Sequence, residues 1–375
     1  MIVNYLGVNN NNNCKGRDLQ DKIMGSWSRV RLRFTRDLVV EFIDRDVSLK
    51  HIEDFAEKGT GYPVVVYGPE GCGKTALFRQ AMEVLRSYGY SVIYVSPLEH
   101  GVEDRLITTK DIKDLASTVL SMVVSESLVK LVNAAIELAV RALRRSRRVA
   151  IIADDIFQAV GMDKAEVYTK MFLNMIEYPP VDYERIVVLI SSSEGVTRSR
   201  IGRHNWAWIK SLWNMPKNGF KQLYNQIPYI KPSFEEVWRF TGGNPRYLRE
   251  LYLSDWRSKV VIDNLFRRKR LRDFINRLTG FQRRVLEEAL IDPDALFETL
   301  GEVELKAKKN EISTLIDSLI ELNMIEYDLA DRKEHLWIDV PPPEKDLELG
   351  IGKYVAWQTP LHREAMKRAL RELEK

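Results

Sequence analysis

The sequence predicts an α/β fold with a parallel sheet, followed by a helical subdomain and a small C-terminal module. An apolar run at 64–67 leads directly into a glycine loop and a helix-like segment. A second apolar run, 149–153, ends in two carboxylates. Beyond residue 216, helix-spaced apolar sets replace the strand-like runs. Short buried strands alternating with helices are typical of parallel sheets, whereas the later pattern predicts helices.

Length and composition favour a folded protein of several domains. The chain has 375 residues, 45% of them hydrophobic, and a net charge of +4. The longest apolar candidate, 122–143, is interrupted by charges, so we expect no membrane span. The N-terminus lacks the pattern of a secretory signal, which predicts a cytoplasmic protein. The two cysteines, Cys14 and Cys72, exclude a disulfide framework and a zinc site.

Positive charge is clustered in two runs. They could bind a phosphate backbone, but a solvated helix face is the simpler interpretation. The two runs consist of Arg141, Arg144, Arg145, Arg147, Arg148 and of Arg267, Arg268, Lys269, Arg270, Arg272.

Shifts in composition and periodicity divide the chain into five predicted segments. The first is a polar extension whose asparagine run, 9–13, has no sustained periodicity. The segments are 1–35 (N-terminal extension), 36–216 (sheet core), 217–278 (helical lid), 279–340 (C-terminal module) and 341–375 (linker and final helix).

The glycine loop 68–75 has the sequence of a phosphate cradle. Glycines allow backbone N–H groups to turn inward, and the following helix directs its positive end at an anion. Lys74 would neutralise β- and γ-phosphate charge, and the Thr75 hydroxyl would bind Mg²⁺. A glycine-rich surface turn is the alternative interpretation. The predicted nucleotide contacts are Gly68, Pro69, Glu70, Gly71, Cys72, Gly73, Lys74, Thr75 and Ala76.

The second apolar run ends at Asp154 and Asp155. Parallel strands deliver side chains to the carboxyl edge of the sheet, where nucleotide sites lie. We expect Asp154 to hold Mg²⁺ opposite Thr75 and Asp155 to orient or deprotonate the attacking water. A strand that ends in a helix-capping Asp is the alternative.

A further strand, 185–190, ends in three serines. Ser192 is predicted to contact the γ-phosphate or the water, although a loop of small turn residues explains the run equally well. The arginines that follow could reach a neighbouring subunit's site as a finger in trans, or simply be solvated. They are Arg198, Arg200 and Arg203.

Four motifs together resemble the archaeal ATPase family, which is related to the AAA+ and STAND P-loop NTPases. They are Phe42–Asp46, Gly68–Thr75, Asp154–Asp155 and Thr241–Leu248. The resemblance covers about residues 40–325 and implies an AAA+-like P-loop NTPase fold that binds ATP and Mg²⁺.

The resemblance also assigns roles to individual residues. It implies nucleotide contacts for Asp44 and Arg45, and base packing for Gly243 and Pro245 of the lid. Arg246 resembles the second sensor arginine of AAA+ lids. The family usually has Glu where this chain has Asp155, which is shorter by one methylene. A displacement of about 1 Å at a catalytic group can cost ~100-fold in rate. Slow turnover, or ATP binding with rare hydrolysis, is therefore an alternative to full activity.

The C-terminal pattern predicts a winged helix. Helices at 282–290 and 311–322 precede two short runs, 324–328 and 335–339, that we expect to form a hairpin. A proline-rich linker, 341–343, and an amphipathic helix, 361–373, follow. Five cations suit phosphate contacts, but acidic neighbours favour protein docking over DNA. The cations are Lys306, Lys308, Lys309, Arg332 and Lys333.

These expectations combine into a Mg²⁺-dependent ATPase whose lid and winged helix respond to ATP and ADP. The first alternative is a slow or non-hydrolysing nucleotide-gated regulator. The second is a DNA-binding ATPase of the initiator or transposition-helper type, and a small-molecule kinase is a weaker third. A homo-oligomer and a protein partner at the winged helix are both compatible with the sequence.

Overall fold

The computed structural model describes residues 27–99, 105–121, 128–193, 200–302 and 305–373. At its start, β1 (Arg31–Arg33) and β2 (Val39–Glu41) form a small antiparallel sheet. The boundary predicted at residue 36 therefore divides a pair of bonded strands. Phe34 and Thr35 are buried, so residues 27–35 pack on the folded body and do not extend from it.

A mostly parallel sheet of six strands is the centre of the described chain. Its four inner strands are short, mostly apolar and buried, as expected for strands covered on both faces. The order is β5-β4-β6-β7-β3-β8, in which β5 alone is antiparallel to its neighbour. The strands are β3 (Val64–Tyr67), β4 (Ser91–Val95), β5 (Leu106–Thr108), β6 (Arg148–Ala153), β7 (Arg185–Ser192) and β8 (Trp208–Ser211).

Helices cover both faces of this sheet. Successive residues of a strand, such as Val64 and Val65, belong to separate apolar clusters on opposite faces of the sheet. One face packs on α1 and α2, and the other packs on α3 to α6. These helices are α1 (Asp46–Lys58), α2 (Lys74–Ser87), α3 (Lys113–Ser121), α4 (Leu128–Leu143), α5 (Ile156–Val160) and α6 (Ala165–Glu177).

A helical body follows the sheet and shares one continuous apolar core. Side chains cap several of its helices: Ser233 accepts from the Glu236 amide, and Thr279 forms a capping box with Gln282. The helices are α7 (Lys217–Gln226), α8 (Phe234–Thr241), α9 (Pro245–Leu253), α10 (Ser258–Arg268), α11 (Leu271–Asn276), α12 (Gly280–Ile291), α13 (Ala295–Glu302), α14 (Lys306–Glu321) and α15 (Pro360–Leu373).

The predicted C-terminal hairpin is wrong in its second strand. β9 (Ile325–Tyr327) pairs antiparallel with β10 (Val355–Trp357), and residues 335–339 form no strand with it. Instead, a short 3₁₀ turn (Glu334–Leu336) leads to Trp337, which bridges to Ser211 at the edge of the central sheet. The apolar run at 336–338 has a different cause, because Trp337 and Ile338 are buried beside that sheet.

The final helix is an integral part of the helical body. Leu361, Ala365 and Met366 of α15 are fully buried in the core shared with α8 to α12. The segment 341–373 is therefore not a separate linker and tail. None of the described helices has the length and apolar character needed to cross a membrane.

Candidate nucleotide site

The glycine loop and the carboxylate pair lie at the same edge of the central sheet. Strand β7 separates β3 from β6, so the two elements are two strands, or about 10 Å, apart. Tyr67 at the end of β3 aligns with Ser192 of β7, and Ala153 at the end of β6 aligns with Ile190. The sequence prediction that these elements share one edge is thus confirmed by the strand order.

The loop glycines are required for two different reasons. A Cβ at Gly68 would lie 1.9 Å from the Leu212 carbonyl oxygen, so the loop passes directly over the chain that follows β8. Gly71 and Gly73 have φ values of +81° and +107°, which L side chains rarely adopt. Nothing lies within 4 Å of a Cβ built on Gly73, so the loop is open at that residue.

Lys74 begins α2 and is buried beneath the loop. Its Nζ donates to the carbonyls of Gly68 at 2.7 Å and Pro69 at 2.9 Å. The ammonium group therefore lies within the turn that surrounds the predicted phosphate position. Thr75 and Ala76 follow in the first helical turn and are both half-buried.

Asp154 is a buried carboxylate held by two hydroxyl groups. Tyr94 Oη donates to Oδ2 at 2.8 Å, and Ser191 Oγ donates to Oδ1. Burial, followed by the Asp154 charge, raises the pKa of Tyr94, so the phenol keeps its proton and acts as a donor. Tyr94 was not predicted from the sequence, although its position in β4, the strand beside β6, is a usable signal.

Asp155 caps the short helix α5 with a left-handed backbone, at φ 49°. Its amide donates to Ser191 Oγ at 2.9 Å, and Ser193 Oγ donates to its carboxylate at 3.3 Å. Asp tolerates left-handed φ better than most residues, which gives a physical reason for Asp rather than Glu. Ser191 and Ser193, two residues apart at the end of β7, both contact the acid pair, because alternate side chains of a strand lie on the same side.

Asp44 and Arg45 occupy consecutive left-handed positions before α1. Asp44 Oδ2 is buried against Gly219 and has no hydrogen-bond partner among the described residues. Burial, aided by the charge of Asp339, raises the pKa of Asp44. Arg45, in contrast, is fully engaged with protein acceptors: Asp339 at 2.5 Å, the Cys72 carbonyl at 2.8 Å and the Trp213 carbonyl at 2.9 Å.

The lid contacts the glycine loop directly. Arg246, in the first turn of α9, forms an ion pair with Glu70 of the loop. Asn244 caps α9 and donates to the Glu70 carbonyl at 3.0 Å. Gly243 has φ +82°, and a Cβ there would lie 2.1 Å from the Met215 carbonyl. Pro245 is the first residue of α9, where a missing N–H has no cost.

Residues of the C-terminal segment reach the same loop. Gln358 accepts from the Glu70 amide at 3.4 Å, and its own amide donates to the buried Glu326 at 3.1 Å. Tyr67, the last residue before the loop, also donates to Glu326. Asn214 donates to the Gln358 carbonyl at 2.9 Å. Asn214, Glu326 and Gln358 lie far from the loop in sequence, and their contacts near it were not predicted.

The structure removes Arg332 from the predicted phosphate-binding set. Its guanidinium is half-buried, and burial lowers its pKa. It organises the local chain instead of facing solvent at a wing tip. It donates to the carbonyls of Ala330, Pro343, Glu344, Gly352 and Lys353.

Arg198 lies outside the described residues, whereas Arg200 and Arg203 lie in the chain before β8. The described residues contain no cluster of three or more His, Cys, Asp or Glu side chains suited to a metal. A magnesium site that relies on one hydroxyl, one carboxylate and phosphate oxygens needs no such cluster.

Several solved structures are distantly similar to this chain. Cdc6p from Pyrobaculum aerophilum has 13% identity and a TM-score of 0.39, covering 92% of this chain and 100% of that one. ORC2 from Aeropyrum pernix has 12% identity and a TM-score of 0.39, covering 90% and 98%. AMPPCP-bound DnaA from Aquifex aeolicus has 14% identity and a TM-score of 0.36, covering 74% and 88%. Similarity at this level says nothing about function.

No curated protein matches the chain. A family model does: the ATPase domain predominantly from Archaea matches residues 42–251, which is more than half of the chain. The matched range includes the glycine loop, the acid pair and the first lid helices. The chain therefore belongs to this archaeal ATPase family, and it has the α/β fold with a mostly parallel central sheet that the sequence predicts.

Proposed function

We propose that the protein binds ATP with Mg²⁺ and hydrolyses it, using the cycle to change the position of its lid. One observation carries this proposal. The loop with buried Lys74 and the buried, hydroxyl-bonded Asp154 lie at one sheet edge, while Arg246 reaches the loop from the lid. This arrangement provides cations and amides for phosphates and a carboxylate for a metal.

The residues present fit magnesium and a triphosphate. Thr75 and Asp154 would hold Mg²⁺, with Tyr94 and Ser191 orienting the carboxylate. The ion supplies charge neutralisation on phosphate oxygens. Lys74 and the backbone N–H groups from Gly71 to Thr75 would bind the phosphates, and Asp44, Gly243 and Pro245 would lie beside the base.

Asp155 would accept a proton from the attacking water or orient it. Its hydrogen bond from Ser193 and the bond from its own amide to Ser191 fix the carboxylate relative to Asp154. Ser192, which is buried at the end of β7, belongs to the same edge. We propose that Arg246 transmits the nucleotide state to the lid through its link to the loop.

The test compares Lys74→Ala, Asp154→Asn and Asp155→Asn with the wild-type protein. We expect Lys74→Ala to abolish ATP binding and Asp154→Asn to remove the dependence on Mg²⁺. Asp155→Asn should leave ATP affinity within about threefold while lowering turnover ~100-fold or more. Nucleotide affinity by calorimetry and phosphate release measure these effects. Wild-type protein without affinity for ATP would contradict the proposal.

A nucleotide-gated regulator is the second candidate. The observation that favours it is the hydrogen-bond path from Glu70 through Gln358 to Glu326, which joins the loop to the C-terminal body. Turnover below about 0.01 s⁻¹, compared with a median near 10 s⁻¹ for enzymes, would support this reading. In this second proposal, a protein partner binds the C-terminal body. A second copy of the chain supplies an arginine to the nucleotide site in trans.

A further inference from the structure

A second lid cation approaches the phosphate loop beside Arg246. Lys269, directly after α10, places its Nζ 3.8 Å from Glu70 Oε2. Glu70 therefore lies between Arg246 and Lys269, which come from different parts of the lid. The Lys269 side chain is only 19% exposed, compared with 42% for Arg246. Its charge is thus less screened by solvent.

The backbone around Lys269 is firmly placed. Its amide donates to the Leu265 carbonyl at 3.0 Å and closes α10. The next residue, Arg270, has a left-handed φ of 51° and begins α11. Leu265 and Leu271, on either side of the turn, are buried in the lid core. A non-glycine residue at positive φ is uncommon, and such strain is frequent at functional sites.

Three lid cations, Lys269, Arg246 and Arg268, lie near the buried His362. His362 is completely buried, and burial lowers its pKa to about 3, with further lowering by Lys269, Arg246 and Arg268. Arg268 is bound to Glu250 within the lid by two hydrogen bonds, at 3.2 and 3.1 Å. Lys269 and Arg246 are instead directed at the loop through Glu70.

We propose that Lys269 binds the phosphate chain of the nucleotide directly, together with Arg246, and that both cations pair with Glu70 when no nucleotide is bound. This inference rests on the proposed function and adds a residue to it. The Glu70 carboxylate belongs to the phosphate-binding loop, so cations that bind it are placed beside the anion that the loop amides bind. An ammonium group supplies a compact charge with three donors, which suits a phosphate oxygen.

The experiment measures affinity for ATP by displacement of a fluorescent nucleotide, without requiring turnover. Lys269→Gln should weaken ATP binding about 10-fold, the loss of one charge-assisted contact at a partly exposed site. Lys269→Arg keeps the charge and should stay within about threefold of the wild type. Arg267→Gln, an exposed change near the same helix end, is the matched control and should have no effect.

A second background separates direct binding from action through Glu70. In the Glu70→Gln protein, Lys269→Gln should still cost about 10-fold. No further loss there would show that Lys269 acts only through Glu70 and would overturn the proposal. Equal affinities for Lys269→Gln and Arg267→Gln would also overturn it, provided the wild type binds ATP.

The proposed function would fail in a different way, because then the wild-type protein itself would not bind ATP. Thermal unfolding of each variant establishes that the change in affinity does not come from loss of the fold. If Lys269→Gln does not fold, Lys269→Met in the Glu70→Gln background decides the outcome by the same 10-fold criterion. The Glu70→Gln background has no carboxylate at residue 70, so replacing Lys269 there leaves no unpaired carboxylate behind.

Discussion

Arg45 and Asp339 form an ion pair at 2.5 Å although 294 residues separate them in the sequence. Both side chains are almost inaccessible to solvent, at 3% and 2% exposure. The same guanidinium also donates to carbonyls of the phosphate loop and of the chain after β8. One buried charge thus joins the loop, the end of the sheet and the C-terminal segment.

We expect Arg45→Ala to lower the free energy of unfolding by about 3–5 kcal/mol, because Asp339 would remain as an unpaired buried charge. The double variant Arg45→Met with Asp339→Leu should lose less than the single variant. Urea unfolding measures both. Lys58→Ala, which breaks an exposed pair with Asp54, is the control and should cost about 1 kcal/mol or less. A single-variant cost as small as the control would contradict this interpretation.

Gly68→Ala should disrupt the phosphate loop for steric reasons. The added methyl would meet the Leu212 carbonyl oxygen, so the loop or the chain after β8 must move. Gly61→Ala, seven residues earlier, adds the same methyl where no atom lies within 4 Å. ATP affinity should fall at least ~10-fold in the first variant and stay unchanged in the second. Unchanged affinity in both would show that the close approach is unimportant.

His362 should make stability depend on pH in mildly acidic solution. Its pKa is about 3 in the folded protein, against 6.5 when unfolded, so the unfolded chain binds the extra proton. The stabilisation is therefore complete above about pH 6.5 and is lost as pH falls towards 3. Between pH 7 and 5 the wild type should lose about 2 kcal/mol more than His362→Gln.

Unfolding in urea at the two pH values measures this difference. The exposed His335 is the control, and His335→Gln should retain the wild-type dependence on pH. Identical pH profiles for His362→Gln and the wild type would mean that His362 is not held neutral by its surroundings.

Arg332 and Lys333 should behave differently despite being adjacent. Arg332→Ala removes hydrogen bonds to several carbonyls and should lower the free energy of unfolding by about 2–4 kcal/mol. Lys333→Ala affects an exposed pair with Asp331 and should change it by about 0.5 kcal/mol or less. Chemical unfolding distinguishes the two. If Arg332→Ala left the free energy of unfolding unchanged, Arg332 would again be a candidate for phosphate contacts.

The phosphate loop and the acid pair were predictable because their chemistry is local in sequence. Gly73, Lys74 and Thr75 are consecutive, and each residue type follows from the geometry of a strand, turn and helix. The position of Asp154 at the same sheet edge follows from parallel strand order.

The second strand of the C-terminal sheet was not predictable from local pattern. Residues 336–338 form a short apolar run like that of a buried strand, but the partner of β9 is β10, thirty residues further along. An apolar run predicts that its side chains are buried, but it does not predict which part of the protein covers them. The roles of Gln358, Glu326 and Lys269 also depend on contacts between residues that are far apart in the sequence. No motif or spacing in the sequence predicts these contacts.

The burial of α15 in the core of the lid has a practical consequence. A recombinant fragment that stopped at residue 251, where the family match ends, would leave Val237, Tyr247 and Leu248 without the apolar surface of Leu361 and Ala365. Such a fragment should aggregate or bind nucleotide poorly for reasons unrelated to catalysis. Point substitutions in the 375-residue chain are therefore the sound way to test the roles of individual residues.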